Sequence, residues 1–384
     1  MREVTDQLLA WWEQGRAVAM GTVVATFRSA PRPSGAAMLV GPDGEAVGSV
    51  SGGCVEGAVY DLGQEVLETR VPQLERYGIS DDDAFAVGLT CGGILDVFVE
   101  RVDRETFPDL GDVVADIRAG RPVAVATVVA HPDPQTVGRR IVVRPEGEPG
   151  AGSLGSARAD DAVTDDARGL LAGGRTATLE YGPDGERRGE GMRVFVSSHA
   201  PRARMFVFGA IDFAAAVARI GTFLDYRVTV CDARPVFATA SRFPDADEVV
   251  VRWPHEYLAE EIAAGRVDDR TVVCVLTHDP KFDVPVLQEA LAGPPLAYIG
   301  AMGSRRTHAD RLDRLREAGV TEEQIARISS PIGLDLGART PEETAVSIAA
   351  EIIALRWGGA GERLTETSGP IHHSAEIAAP LERS

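Results

Sequence analysis

Residues 205–232 read MFVFGAIDFAAAVARIGTFLDYRVTVCD. Met205–Phe208 is a short apolar run of strand type, and Phe213–Leu224 has the apolar spacing of a helix. Arg227–Cys231 returns to strand type and stops at Asp232. A strand, a glycine at its exit, a helix and another strand form the repeating unit of a parallel sheet. Strands of the same kind follow at Glu248–Val251, Thr271–Leu276 and Leu296–Ile299, with helical stretches between them. The alternation predicts a doubly wound parallel sheet over 205–358. Its closing helix runs Pro341–Leu355, with Thr340 as N-cap, Pro341 at the first helical position and Glu343 as the capping-box acid.

The turn after the first strand is Gly209-Ala210-Ile211-Asp212-Phe213-Ala214. A dinucleotide fingerprint wants glycine at 211, where backbone approaches pyrophosphate, and glycine or alanine at 214. Gly209, Ala214 and the acid Asp232 fit that pattern, whereas Ile211 and Asp212 oppose it. A carboxylate at a helix N-terminus repels a second anion there. Two readings stay open: a Rossmann-like fold with Asp212 as an N-cap and no dinucleotide, and an NAD(P)-dependent oxidoreductase.

Open α/β sheets bind ligands at the carboxyl ends of their strands. Thr277-His278-Asp279 sits at one such end, and Gly300-Ala301-Met302-Gly303-Ser304-Arg305-Arg306 at another. Backbone N–H groups, a hydroxyl and two guanidinium groups make the second a phosphate cradle. The plainer readings are that Arg305 and Arg306 pair with surface acids and that His278 is an ordinary loop histidine. The glycine-spaced loop Ser330–Ala338 either lines the same cleft or packs closely on the sheet.

The first half carries GSVSGGCVEG at 48–57, where two hydroxyls (Ser49, Ser51) and a glycine pair lead into Cys54, with Glu56 just beyond. Glycine lets backbone approach a ligand closely, and a thiol there suits a soft metal or sulfur. Cys91 has a similar setting in Thr90-Cys91-Gly92-Gly93. The alternative is that both are small hydrophobic residues beside tight turns. The half also contains a degenerate repeat: RAVAMGTVVA at 16–25 matches RPVAVATVVA at 121–130, and Gly48-Ser49-Val50 aligns with Gly152-Ser153-Leu154. The second copy has Arg158 in place of Cys54, which favours a functional thiol. Val18–Ala25 and Met38–Val40 read as strands, Val55–Leu67 as a helix and Glu146–Ala167 as a long loop into a helix. We expect an N-terminal domain over 1–198, a linker at 199–204, the second domain over 205–358, and a mobile tail at 359–384 holding His372-His373.

A chain of 384 residues supports two domains, each with a core. A net charge of −19 argues against nucleic acid and anionic membrane surfaces. Four cysteines without CxxC spacing indicate neither a zinc knuckle nor a disulfide framework, and Cys231 and Cys274 read as core. Lys281 is the only lysine, so amine chemistry has one candidate. The N-terminus lacks a signal-peptide pattern, and the expected compartment is the cytoplasm.

Taken together, GSVSGGCVEGAV at 48–59, GLTCGG at 88–93, LTHDPKFDVPVL at 276–287, YIGAMGSRR at 298–306 and SPIGLDLGARTPEETAVSIAAEII at 330–353 resemble the XdhC/CoxI family. Members are accessory proteins of molybdenum hydroxylases such as xanthine dehydrogenase. The resemblance implies an α/β N-terminal XdhC/CoxI-type domain followed by a Rossmann-like domain. It further implies a non-catalytic chaperone that binds molybdenum cofactor (molybdopterin) as cargo, supports its sulfuration by a cysteine desulfurase and delivers it to the apo hydroxylase. Assembly as a homodimer is left open. On this view the cofactor-binding residues are Ser51, Gly52, Gly53, Cys54, Glu56, Cys91, Gly92, His278, Asp279, Gly303, Ser304, Arg305 and Arg306, in a cleft between domains. Cys54 or Cys91 would face the molybdenum, while Glu56 and Asp279 would accept hydrogen bonds from the pterin. The turn GAIDFA departs from the fuller glycine-rich turn of many members.

Overall fold

The computed structural model describes residues 4–27, 32–78 and 93–368. Two compact units divide the chain, the first ending at Pro201 and the second beginning at Arg202.

The first unit is built twice from one pattern. Its first half runs α1 (Thr5–Glu13), β1 (Val18–Phe27), β2 (Ala37–Val40), β3 (Ala46–Gly48), α2 (Glu56–Thr69), β4 (Gln73–Gly78) and β5 (Ile94–Val102). The second runs α3 (Leu110–Arg118), β6 (Val123–Ala130), β7 (Arg140–Val143), β8 (Ala151–Gly152), α4 (Ala157–Ala172), β9 (Ala177–Tyr181) and β10 (Met192–His199). Each half folds into an antiparallel five-stranded sheet, and the orders β3-β2-β1-β5-β4 and β8-β7-β6-β10-β9 are the same. The repeat read in the valine-rich strands is thus a repeat of the fold.

Strand alternation decides the layering. Ala19 and Val23 of β1, with Val97 and Val99 of β5, pack against Val59 and Val66 of α2. The opposite faces of the two sheets meet through Val18, Met20, Val102, Val123, Val125 and Val142, and through Val24, Phe98, Val129 and Phe195. On the far side α4 covers the second sheet with Ala159, Val163, Ala167 and Leu170. The result is four layers, helix, sheet, sheet, helix. Among the described residues two ion pairs cross between the sheets: Arg193 Nη2 donates to Asp96 Oδ2 at 3.2 Å, and the more deeply buried Arg140 Nη2 donates to Glu100 Oε2 at 2.5 Å, with its guanidinium 4.3 Å over the Phe107 ring. Burial pushes the Glu100 carboxyl up, against the pull of Arg140.

In the second unit, strands β11 (Arg204–Phe208), β12 (Arg227–Asp232), β13 (Glu248–Val251), β14 (Val272–Val275), β15 (Tyr298–Ala301) and β16 (Ile328–Ser329) alternate with helices. The helices are α5 (Asp212–Phe223), α6 (Pro254–Ala263), α7 (Pro280–Ala292), α8 (Arg305–Glu317), the short α9 (Glu322–Ile325) and α10 (Pro341–Trp357). The order is β13-β12-β11-β14-β15-β16, with every pair parallel. This is the expected doubly wound Rossmann sheet. Its four central strands, β12, β11, β14 and β15, are largely buried on both faces, which is why they read as continuous apolar runs. Met205, Val207, Val228, Val230 and Val272 face Ala214, Val217, Ile348 and Ile352 on one side, while Phe206, Phe208, Val273 and Val275 face Leu258, Val286, Leu287 and Leu315 on the other. The capping box of α10 is present as read, with Thr340 accepting from the Glu343 N–H and Glu343 from the Thr340 N–H. Among the described residues no helix is long and apolar enough to cross a membrane.

The Arg140–Glu100 pair gives a direct test of the first unit. Arg140→Met strands Glu100 in a dry interior and should lower stability by about 3 kcal/mol in urea titration. Adding Glu100→Gln should recover at least half of that loss. An equal loss in the single and double variants would show that packing around Arg140 matters and the charge pairing does not.

Candidate functional site

The turn between β3 and α2 is held by one carboxylate. Glu56 Oε1 accepts from Ser49 Oγ at 2.6 Å and from the N–H groups of Val50, Ser51 and Gly52 at 3.2, 2.8 and 3.0 Å. Its Oε2 accepts from Ser51 Oγ at 2.5 Å and from the N–H groups of Gly53 and Val55 at 2.8 and 3.2 Å. Backbone N–H groups converging on one point form a nest for an anion, and this chain supplies its own. Burial pulls the Glu56 pKa upward, but the hydrogen bonds from Ser49, Ser51 and the backbone outweigh it and lower it to about 2. Glu56 therefore clamps its loop, and both oxygens expected to meet a pterin are engaged.

Around the clamp the loop is open. Gly52 and Gly53 are exposed at φ +79° and +117°, and a Cβ at either would meet nothing within 4 Å. These glycines serve the backbone conformation and leave bare chain at the surface. Cys54 follows, half-buried, with its N–H donating to Ser51 Oγ at 3.0 Å. Cys231 and Cys274 are buried, and burial pushes both thiols up to about 12. Cys91 and Gly92, like the tail from 369 with His372 and His373, lie outside the described residues. The described residues contain no cluster of three or more His, Cys, Asp or Glu that could hold a metal.

The second half of the unit repeats the clamp in weaker form. Asp160 accepts from Ser153 Oγ at 2.8 Å and from the Leu154 N–H at 2.7 Å. Its helix α4 is already under way at Ala157, capped by Ser156, whereas α2 begins only at Glu56. The first copy has given up one helical turn to form the glycine loop. Arg158, in the place of Cys54, faces Asp184 and Glu186. Asp160 escapes a reading of the sequence, although the alignment of Ser153 with Ser49 marks its position.

In the second unit the sheet changes direction between β11 and β14, where ligands of such folds bind. Gly209 turns the chain out of β11 at φ +114°, and a Cβ there would lie 2.8 Å from Thr277 Cγ2. Ile211 is the N-cap residue of α5 without a side-chain cap, so Asp212 sits one position inside and pairs with Arg242 at 3.2 Å instead of capping. Asp232, buried at the end of β12, accepts from the Ala210 N–H at 2.8 Å, the Arg234 N–H at 2.9 Å and the Arg234 guanidinium at 2.9 and 2.7 Å. The lone pairs that a ribose would need are filled.

The other two strand ends differ in what they leave exposed. After β14, His278 is exposed, while Asp279 caps α7 through the Lys281 N–H and pairs with Lys281 Nζ at 3.1 Å. After β15, Ser304 caps α8 by accepting from the Thr307 N–H at 3.1 Å. Arg305 and Arg306 are exposed and make no ion pair among the described residues, although the chain carries 58 acids. The Ser330–Ala338 loop packs on α10, with Gly333 N–H donating to Glu351 and Ser347 Oγ to the Leu334 carbonyl.

The clamp sets a pH window. Glu56 is lowered in the folded chain, so its contribution is complete above the ordinary value of 4.5 and is lost as pH falls toward 2. Discounted for solvent screening, it is worth about 2 kcal/mol. Glu56→Gln should cost about that much at pH 7 and little at pH 2.5 in denaturant titrations. A cost independent of pH would show that the carboxylate charge is not what holds the loop.

Family models match most of the chain. The XdhC and CoxI family model matches residues 11–78 and 116–182, segments that begin 105 residues apart, as the two halves of the first unit do. The XdhC Rossmann domain model matches residues 205–352. A probable xanthine dehydrogenase subunit of Bacillus subtilis is 29% identical over 88% of this chain and 92% of its own length. The molybdenum cofactor insertion chaperone PaoD of Escherichia coli is 27% identical over 89% of this chain and 84% of its own. The crystal structure of a xanthine dehydrogenase from Bacillus halodurans superposes with a TM-score of 0.65 at 25% identity, covering 94% of this chain and 97% of that one. With both of its halves and its parallel sheet accounted for in this way, the chain belongs to the XdhC and CoxI family.

Proposed function

We propose that this protein is a molybdenum cofactor chaperone acting in the maturation of a molybdenum hydroxylase of the xanthine dehydrogenase type. The observation that carries the reading is the strand-exit turn Gly303–Arg306. Two guanidinium groups without acid partners among the described residues stand at the N-terminus of α8, on the ligand-binding edge of a parallel sheet. Such a turn suits the phosphate of molybdopterin. Support also comes from PaoD, a chaperone by name, which aligns along most of both chains.

The glycine loop of the first unit, taken by itself, also offers ligand chemistry. Bare backbone at Gly52 and Gly53 beside a half-buried thiol suits the sulfur-rich metal end of the cofactor. In this reading Cys54 contacts the molybdenum or a sulfur in transfer, and Cys91 is its candidate companion. Asp279 remains the residue for the pterin N–H groups, since Glu56 is committed to its own loop. Sulfuration with a cysteine desulfurase and delivery to the apo hydroxylase complete the proposal. An NAD(P)-dependent oxidoreductase is less well supported, because Asp232 is filled by Arg234 and Ile211 stands where glycine would be needed.

The test is anaerobic binding of molybdenum cofactor to the purified protein. Wild type should bind stoichiometrically, and Arg305→Ala/Arg306→Ala should weaken binding at least about tenfold, with a smaller dependence on salt. Cys54→Ser should also weaken it. Failure of the folded wild-type protein to bind would sink the proposal, and a measurable melting-point rise with saturating NAD(P) instead would revive the oxidoreductase.

A further inference from the structure

Three loops at the ligand-binding edge of the second unit converge on one buried arginine. Arg311 projects from α8 and is almost fully buried, its side chain 3% exposed, as is Asp283 at 5%. Arg311 Nη2 donates to Asp283 Oδ2 at 2.9 Å and to the Met302 carbonyl at 2.7 Å, while Nη1 donates to Ser330 Oγ at 3.1 Å. Asp283 Oδ1 in turn accepts from Thr277 Oγ1. The guanidinium therefore reaches the loop after β15 and the loop after β16 directly, and the loop after β14 through Asp283. Those loops carry His278 and Asp279, Gly303–Arg306, and the Ser330–Gly333 turn.

We propose that Arg311 and Asp283 form a positioning pair that locks these three loops into one arrangement, so that the residues presented to the ligand move as a unit. The inference rests on the reading of this edge as the cofactor site. Its physical basis is the fork of the guanidinium, whose donors are fixed in one plane and cannot follow one loop without pulling on the others. A buried pair of this kind adds little to stability against an apolar replacement, so specifying one geometry is its better-supported use.

The pair is also sensitive to pH. Burial pushes the Asp283 carboxyl up to about 6, against the opposing pull of Arg311, with Asp279 adding to the rise and Arg314 opposing it. Thr277 faces the other oxygen. His308, on α8, is held below its ordinary value by burial and by Arg311. As pH falls through about 6, Asp283 takes up a proton, the charge opposing Arg311 disappears and the three loops should loosen together.

Backbone hydrogen exchange of the full chain tests this, read as protection factors in peptides covering 276–280, 302–307 and 329–333. Arg311→Lys keeps the charge but loses the fork, and should lower protection in all three segments by about tenfold with global stability largely kept. Ser330→Ala, a mild change that removes only one hydroxyl, should lower protection at 302–307 as well as at its own loop. In the wild type, protection in all three should fall between pH 7 and pH 5, and Asp283→Asn should abolish that dependence even though His308 is intact. Loops that respond one at a time, or a wild-type profile without the pH step, would overturn the proposal. If the loops loosen together in Arg311→Lys while molybdenum cofactor binds as tightly as before, the coupling stands and the placement of the cofactor at this edge falls.

Discussion

The turns at the ends of these strands are held by carboxylates that fill nests of backbone N–H groups. Glu56 does this with both oxygens at the exit of β3, and Asp160 repeats it at the exit of β8. Asp232 binds the Ala210 N–H where β11 ends, and Asp279 binds the Lys281 N–H where β14 ends. A strand that stops leaves donors that must be satisfied, and here acidic side chains satisfy them. The acidity of the chain is therefore partly internal, used to set the shape of these strand-exit loops. Against that background the turn at Arg305 and Arg306 stands out, because among the described residues it presents positive charge without an acid of its own.

Local features are legible in the sequence and distant ones are obscure. The capping box at Thr340 and Glu343 lies within four residues and can be read directly. So can the repeat, because valine alternation survives in β1 and β6 even where the loops diverge. Helix boundaries are less certain: Asp212 lies one position inside α5, and that single step turns an expected cap into an ion pair with Arg242. Glu56 draws attention in the sequence, but as a group facing a ligand. Its partners all lie within seven residues upstream, yet nothing in residue identity says that one carboxylate will collect them all. Asp283 with Arg311 and Glu100 with Arg140 escape notice, since each pair is separated by 28 or more residues and formed only by tertiary packing.

The two units solve different problems with the same economy. The first stacks two copies of one antiparallel sheet and covers each outer face with a helix, and then alters one copy by unwinding the start of its helix into a glycine loop. The second keeps a regular parallel sheet and carries the turns His278-Asp279 and Gly303–Arg306 just beyond its strand ends. In both, the candidate ligand groups adjoin a polar network: Glu56 holds the N–H groups on either side of Cys54, and Arg311 holds the Met302 carbonyl just before the Gly303–Arg306 turn. The proposed chaperone role requires binding and release of cargo, and groups set on networks with definable breaking points suit that task better than groups fixed in an apolar core.

Transfer is the most direct test of this account. The protein would be loaded anaerobically with molybdenum cofactor, desalted and mixed with an apo molybdenum hydroxylase, with a scavenger present to destroy any cofactor free in solution. The account predicts that hydroxylase activity appears in proportion to the loaded protein and faster than from free cofactor. Loaded protein that retains its cargo, or yields no more activity than the scavenged free cofactor, would contradict it.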